Sequence, residues 1–266
     1  MSQYKTLFDL GGRTAMVTGG ARGIGFAIAD ALSELGADVL ITDIEQEPGR
    51  HAAESLAGRG GRVAFHPHDV TDETAWEQAC QAMQAQFGGF DILVNNAGIE
   101  TASLFAQCEV EDFERVMRIN VTGSFLGIKH AMRVMTGGSG AIVNLSSVAG
   151  IIGTPAHGAY HSSKGAVRSM TKAAAVESAA LGLGIRVNSV HPAIVRTDMG
   201  DAFLSDFVRL GLAESEEAAR TQFEAVHPMG FGAVEDVACA VAYLASDAAK
   251  WVNGAELVVD GGFTAQ

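Results

Sequence analysis

The sequence predicts an α/β fold: a doubly wound parallel sheet of seven strands with helices on both faces, folded as a single domain. Three observations predict it. Seven short β-branched runs alternate with amphipathic stretches of helical period. The strand runs are apolar almost throughout, as strands covered on both faces by right-handed crossovers have to be. No Pro/Ser linker, charge block, low-complexity tract or internal repeat divides the chain, and its 266 residues, 48% of them hydrophobic, provide for one large core.

The first strand is "TAMVTG" (14–19), and the helix after it carries Ile24, Ile28, Ala31, Leu32 and Leu35 on one stripe, with Gly36 as its stop. Between them Gly19, Gly23 and Gly25 stand at T-G-x-x-x-G-x-G spacing, with Arg22 and Ile24 inside the same turn. Glycines let the backbone turn sharply and bring amide N–H groups close to a pyrophosphate, whose charge then sits at the positive end of the helix. The turn is a candidate dinucleotide site; the alternative is a tight turn without a ligand.

The second strand, "DVLITD" (38–43), ends in Asp43, 18 residues beyond Gly25. A carboxylate there accepts from both hydroxyls of an adenosine ribose and repels a 2′-phosphate, which predicts NAD over NADP. Arg22 argues the other way, because a guanidinium pairs with phosphate. Ile44 lacks the second positive charge such a site needs, so Asp43 decides. The third strand, "RVAFHPHD" (62–69), places the Asp69 side chain and the Val70 backbone at the adenine edge, with a turn or helix cap as the alternative for Asp69. "DILVNNAG" (91–98) is the fourth; Asn96, Ala97 and Gly98 suit a turn passing beside a ligand, whereas Asn95 equally suits a tie between strands.

A helix at about 111–135 follows and contains Asn120 in "RINVTGSF". The fifth strand, "AIVNLSS" (141–147), brings Ser146 and Ser147 to the carboxyl edge of the sheet, where ligands of doubly wound folds bind. A serine hydroxyl there is placed to donate to a ketone oxygen. In the next helix, at about 157–180, "HGAYHSSKGAV" sets Tyr160 and Lys164 four apart on one face. A free phenol titrates near about pH 10, and a neighbouring ammonium stabilises the phenolate. Two unit charges about 4 Å apart interact by roughly 4 kcal/mol at an effective dielectric of 20, the upper limit of that help. The phenol becomes a general acid–base near neutral pH. Alone, a Y-x-x-x-K step is better read as a packed Tyr beside a solvated Lys.

The sixth strand is "IRVNSVHP" (185–192) and the seventh "ELVVDGG" (256–262); between them, about residues 198–232 hold apolar residues on helical spacing with no strand after them. This segment is expected to be a substrate lid.

Taken together, T-G-x-x-x-G-x-G, N-N-A-G, Asn120, the strand-end serine and the Tyr–Lys step resemble the short-chain dehydrogenase/reductases, over about Arg13 to Gln266. The resemblance implies a Rossmann fold and assigns roles. Ser147 orients substrate, Tyr160 is the catalytic acid–base, and Lys164 lowers the tyrosine pKa and binds the nicotinamide ribose. Asn120 supports a water-mediated proton relay. Ser146 competes with Ser147, but the spacing of 13 residues to Tyr160 favours Ser147. Pro192, Val195 and Thr197 match the segment near the carboxamide, where Ala193 replaces the family's usual glycine. Ala does not easily adopt a positive φ, so the local backbone is in question there. The ending "DGGFTAQ" is similar to that of bacterial secondary-alcohol reductases of the family, in which a C-terminal Gln lies near magnesium. Gln266 is therefore a candidate neighbour of a structural Mg2+.

Glu100, Val148, Ile152, His157, Ile194, Met199, Phe203 and Phe207, with Ser147 and Tyr160, are the candidate substrate-facing residues, His157 standing at a rim or helix start. Most are apolar, which predicts a hydrophobic secondary alcohol or ketone, cyclic, aromatic or steroidal. His157 and Glu100 leave room for a polyol or sugar. A 3-oxoacyl-thioester reductase and a dinucleotide-binding sensor without turnover also fit these motifs.

Composition narrows the partners. With 18 Lys+Arg against 31 Asp+Glu, the net charge of -13 disfavours nucleic acid and anionic lipid. The start "MSQYKTLFDLGG" has no basic n-region before an apolar stretch, and no run of eighteen apolar residues occurs, so a cytoplasmic protein is expected. Cys80, Cys108 and Cys239 read as reduced packing residues, and the histidines, "HPH" (66–68) and His191 included, show no metal-ligand spacing. "FLGIKHAM" and "GAVRSMTKAAAVESAAL" carry more small and apolar residues than one sheet face requires, which predicts a four-helix contact between subunits and a homotetramer, the family's usual state.

Overall fold

Among residues 3–135 and 139–265, which the computed structural model describes, seven strands form one sheet. They are β1 (Thr14–Thr18), β2 (Asp38–Asp43), β3 (Val63–Pro67), β4 (Ile92–Asn95), β5 (Ala141–Leu145), β6 (Arg186–Pro192) and β7 (Glu256–Val259). Their order is β3-β2-β1-β4-β5-β6-β7, parallel at every pairing. The chain leaves β1 toward β2 and β3, then returns to β4 on the other side of β1. The carboxyl ends of β1 and β4 therefore flank the switch point at which doubly wound sheets bind ligands.

The helices are α1 (Gln3–Thr6), α2 (Gly23–Glu34), α3 (Gln46–Ala57), α4 (Glu73–Phe87), α5 (Val110–Met117), α6 (Gly123–Val134), α7 (Gly158–Ala180), α8 (Asp198–Arg209), α9 (Glu216–Ala225) and α10 (Val234–Ala245). Side chains alternate across the sheet and both faces are covered, which is why the strands read as continuous apolar runs. On β1, Ala15 and Val17 join a core with Ile28 and Leu32 of α2 and Val237 and Val241 of α10. Met16 points to the other face and packs with Trp76 and Met83 of α4 and Leu126 of α6. The predicted stripe of α2 holds: Ile28 and Leu32 are buried, Ile24, Ala31 and Leu35 pack against the same core, and Gly36 leaves the helix at φ +98°.

The helix expected at 111–135 is interrupted. Residues Arg118–Thr122 form a π turn between α5 and α6, with Asn120 in its middle. The Asn120 side chain explains the turn: its Oδ1 accepts from Ile99 N–H at 2.9 Å, and its Nδ2 donates to Ile99 O and Ser163 Oγ. Tying a helix to a neighbouring loop this way widens one turn, as π-bulges at functional sites do.

The segment at about 198–232 forms α8 and α9 with a small core of its own, Leu204, Phe207, Ala219, Phe223 and Phe231. Thr197 caps α8 by accepting from Gly200 N–H, and Ser215 caps α9 by accepting from Ala218 N–H.

Candidate active site

The glycine turn after β1 is built for close approach. Gly19 and Gly23 have φ of +63° and +56°, and a Cβ on Gly25 would lie 2.1 Å from the carbonyl oxygen of Gly19. The Thr18 hydroxyl accepts from Asn96 and Ala97 N–H, and Asn96 Nδ2 donates to the carbonyls of Thr18 and Gly19 at 2.9 and 3.0 Å. Asn96 thus ties the glycine turn to the end of β4, while Asn95 ties β4 to β5 by donating to Asn144 Oδ1 in the buried sheet, the strand tie read for it from the sequence.

From this turn a cleft of about 980 Å3 runs along the carboxyl edge of the sheet to the segment of α8 and α9. Every predicted cofactor residue lines it: Gly19, Arg22, Gly23, Ile24, Gly25, Asp43, Ile44, Asp69, Val70, Asn96, Ala97, Gly98, Tyr160, Lys164, Pro192, Val195 and Thr197. Asp43 Oδ2 accepts from Ala21 N–H and Oδ1 from Glu45 N–H, so the carboxylate braces the glycine turn as well as facing the cleft. Arg22 is paired with Glu45 at 2.7 Å. Asp69 closes a turn by accepting from the amide and hydroxyl of Thr71. A nicotinamide dinucleotide fits these residues: a glycine cradle that a Cβ would fill, a carboxylate at the end of β2, and an amide-rich turn at a helix start. Ala193 does not take a positive φ; among the described residues the one non-glycine that does is Ala156, at +72°. The alanine is therefore tolerated, its N–H donating to Val259 O.

At the other end, β5 delivers Ser147, and α7 delivers Tyr160 and Lys164 to one wall. The Ser147 hydroxyl accepts from Ala149 N–H, donates to Pro192 O at 3.3 Å, and lies within reach of the phenol. Ser146 instead turns inward and donates to Lys164 O at 2.9 Å, which resolves the competition in favour of Ser147. Lys164 Nζ donates to Leu145 O at 2.7 Å and lies 5.5 Å from the centre of the Tyr160 ring. Asn120 stands behind the wall rather than in it. A Cβ on Gly98 would be 3.2 Å from Asn120 Oδ1 and 3.6 Å from Lys164 Nζ, so these two groups converge there.

The electrostatics of the chain alone run opposite to the sequence-based expectation. Burial and the charge of Glu100 push the Tyr160 phenol up, and the Ser147 hydrogen bond only partly opposes them. Burial pulls Lys164 down to about 8, against the charge of Glu100. The cause is geometric: the ammonium is engaged by a backbone carbonyl and lies over the ring face, and burial penalises both charged forms.

Val148, Ile152, His157, Ile194, Met199 and Phe203, expected to face substrate, line the same cleft, with Glu100. Phe207 does not. It is 2% exposed and lies in the core of α8 and α9 behind Phe203, packed edge-to-face against Phe223. Phe223, His227 and Phe263 line the cleft unforeseen. His227 stacks on Phe263 at 4.3 Å, a pairing of residues 36 apart that no local spacing announces. His157 is a helix-start residue as expected but is buried, not at a rim: 1% of its side chain is exposed, and Nε2 lies 3.0 Å from Glu100 Oε1. Gln266 lies outside the described residues, and among those described no group of His, Cys, Asp or Glu is arranged to hold a metal ion. No helix among them is long and apolar enough to cross a membrane.

Residues 19–264 match the family described as enoyl-(acyl carrier protein) reductase. The chain is 40% identical to the NADP-dependent (R)-specific alcohol dehydrogenase of Lentilactobacillus kefiri, over 97% of this chain and 98% of that protein. It is 38% identical to the cyclopentanol dehydrogenase of Comamonas sp. (strain NCIMB 9872), over 95% and 97%. Among solved structures, a short-chain type dehydrogenase/reductase from Mycobacterium marinum superposes with a TM-score of 0.89 at 35% identity, covering 98% of each chain. With this fold, the glycine turn and the Ser–Tyr–Lys wall, the chain belongs to the short-chain dehydrogenase/reductase family of oxidoreductases.

Proposed function

We propose that the protein interconverts a secondary alcohol and its ketone with NAD as the cofactor. The observation that carries this reading is the single cleft, with a glycine cradle and Asp43 at one end and Ser147, Tyr160 and Lys164 on one wall at the other. Bound there, the dinucleotide supplies or accepts hydride and, when oxidised, brings a positive charge. The Ser147 hydroxyl orients the substrate oxygen, and the Tyr160 hydroxyl delivers its proton or takes it. Lys164 is the next proton holder, and Asn120, facing the same point beside Gly98, holds the water through which the proton leaves. With a phenol pushed up in the chain alone, the ammonium and a cofactor's charge together have to favour the phenolate; Lys164 by itself does not.

Two observations support NAD over NADP, although the Lentilactobacillus relative is described as NADP-dependent. Asp43 places a negative charge where a 2′-phosphate would lie, and the nearby cation, Arg22, is engaged by Glu45. Val148, Ile152, Ile194, Met199 and Phe203 support a hydrophobic, cyclic or aromatic carbon skeleton. The acidic balance of the chain, with a net charge of -13, disfavours an acyl-carrier substrate, itself acidic.

The test is nicotinamide absorbance with NAD+ and NADP+ against steroidal, cyclic, aromatic and polyol alcohols, in the wild type and in Asp43→Ala. The expected result is reduction of NAD+ by a cyclic or aromatic alcohol and a preference for NAD that falls on the order of tenfold in the variant. No reduction by any alcohol would end this reading; an unchanged preference would remove Asp43 from its role.

A further inference from the structure

The substrate end of the cleft contains an ion pair that an apolar pocket does not need. Glu100, in the loop after β4, and His157, at the start of α7, meet at 3.0 Å with side-chain exposures of 13% and 1%. His157 Nδ1 lies 2.9 Å from Pro155 O, so both ring nitrogens face acceptor oxygens, an arrangement that favours the imidazolium. The backbone is strained to hold this ring. Ala156, immediately before it, has a φ of +72°, and Ser103 N–H donates to its carbonyl at 2.7 Å. Phe203 then stacks on the imidazole at 4.7 Å and 23° from the lid side.

A buried ion pair is weak evidence of stability, because well-packed apolar residues of similar volume often serve as well. Its cost calls for another explanation, and the unfinished carboxylate provides one. Oε1 of Glu100 is engaged by His157, whereas no described residue donates a hydrogen bond to Oε2. Glu100 lines the cleft, close enough to Tyr160 and Lys164 for its charge to act on both.

Resting on the alcohol–ketone reading above, we infer that Glu100, held by His157, accepts a hydrogen bond from a second hydroxyl of the substrate, and that the preferred substrates are diols and the hydroxy-ketones formed from them. Charge selects the kind of donor. The imidazolium already balances the carboxylate, so an ammonium on the substrate would leave a net buried positive charge, and a substrate carboxylate would face an acceptor with no proton to give. A neutral hydroxyl completes the site without either penalty. The surrounding Val148, Ile152 and Phe203 hold the carbon ring that carries it.

The experiment compares kcat and KM for cyclohexanol, the 1,2-, 1,3- and 1,4-cyclohexanediols and 2-aminocyclohexanol, with NAD+. The expected result is that at least one diol exceeds both cyclohexanol and the amino alcohol by about tenfold or more in kcat/KM. The advantage should disappear in Glu100→Ala, chiefly through KM of the diol. Because that variant leaves His157 buried and unpaired, a second, Glu100→Leu/His157→Leu, replaces the whole pair by apolar groups. Its preference should reverse toward cyclohexanol while its melting transition stays cooperative. Turnover of cyclohexanol with no diol preference in the wild type, or a diol preference that survives in both variants, would overturn the inference and leave the alcohol reading standing. An enzyme inert to every alcohol would overturn both.

Discussion

Tyr160 shows how much chemistry one residue type at one offset conveys, and where that stops. The four-residue step to Lys164 and the 13-residue step from Ser147 are local facts, so the sequence could place all three on one wall. The direction in which the phenol's acidity moves is not local. It depends on desolvation of the phenol in the cleft wall, on Glu100 arriving from the loop after β4, and on an ammonium aimed at Leu145 O. Phe207 was beyond reach for the same reason, since the helical spacing of α8 does not say which face meets Phe223. If Tyr160 moves the proton, Tyr160→Phe keeps the ring and its packing while removing the one group that does the work. Turnover should fall by about 10²–10⁴-fold or below detection, with NAD affinity, read by titration of bound cofactor, within a few fold of wild type. Activity retained in the variant would take the proton-transfer role away from Tyr160.

Strands and the α2 stripe were legible because their patterns are periodic, whereas the π turn at Arg118–Thr122 depends on Asn120 finding Ile99, a contact across 21 residues. Helix α8 illustrates how one element is fixed by another. Helix α8 docks through Arg209, which donates to Ala102 O at 2.9 Å, and through Phe203 and Phe207, which stack on His157 at 4.7 and 5.8 Å. Burial works against a charge on that imidazole, but the hydrogen bond and charge of Glu100, the carbonyl of Pro155 and the charge of Asp206 on α8 outweigh it and raise its pKa above the usual 6.5. His161, one turn on along α7, is instead pulled down, chiefly by burial, and accepts from Thr154 N–H, so it stays neutral in this range. A raised folded-state pKa means that the protonated ring stabilises the docking of α8 fully below about pH 6.5, the unfolded value, and that this stabilisation is lost as pH rises through the folded pKa. Hydrogen exchange of the α8 amides, corrected for intrinsic rates, should therefore show protection decreasing above neutral pH. In His157→Phe, which keeps the stack and cannot titrate, protection should not vary with pH. A wild-type profile as flat as the variant's would show that His157 does not tie α8 to pH.

On the scale of the whole molecule, the fold was readable from strand–helix alternation, but a single chain leaves apolar surface that the sheet does not account for. Phe105 is 83% exposed, Val110 63% and Phe113 38%, and with Cys108 they surround a hollow floored by Gly158 and Ala159 at the start of α7. Val110 and Phe113 share a face of α5 three residues apart, and Phe125 of α6 is 51% exposed. Water contact with that much aromatic surface is unfavourable, and contiguous patches of this kind mark association sites. We therefore expect a closed homo-oligomer, a tetramer, in which α5 and α7 of neighbouring chains cover these residues. Such a contact would bear on catalysis, because the hollow is backed by the two residues immediately before Tyr160, and Gly158 packs so tightly on Phe105 that a Cβ there would lie 2.7 Å from its Cζ. Light scattering coupled to gel filtration at micromolar concentration should give the mass of four chains. Phe105→Glu/Phe113→Glu should give a smaller species with reduced kcat, its cofactor cradle, which neither residue lines, unaffected. A wild-type monomer would refute the assembly, and a smaller variant with full kcat would separate assembly from the support of Tyr160.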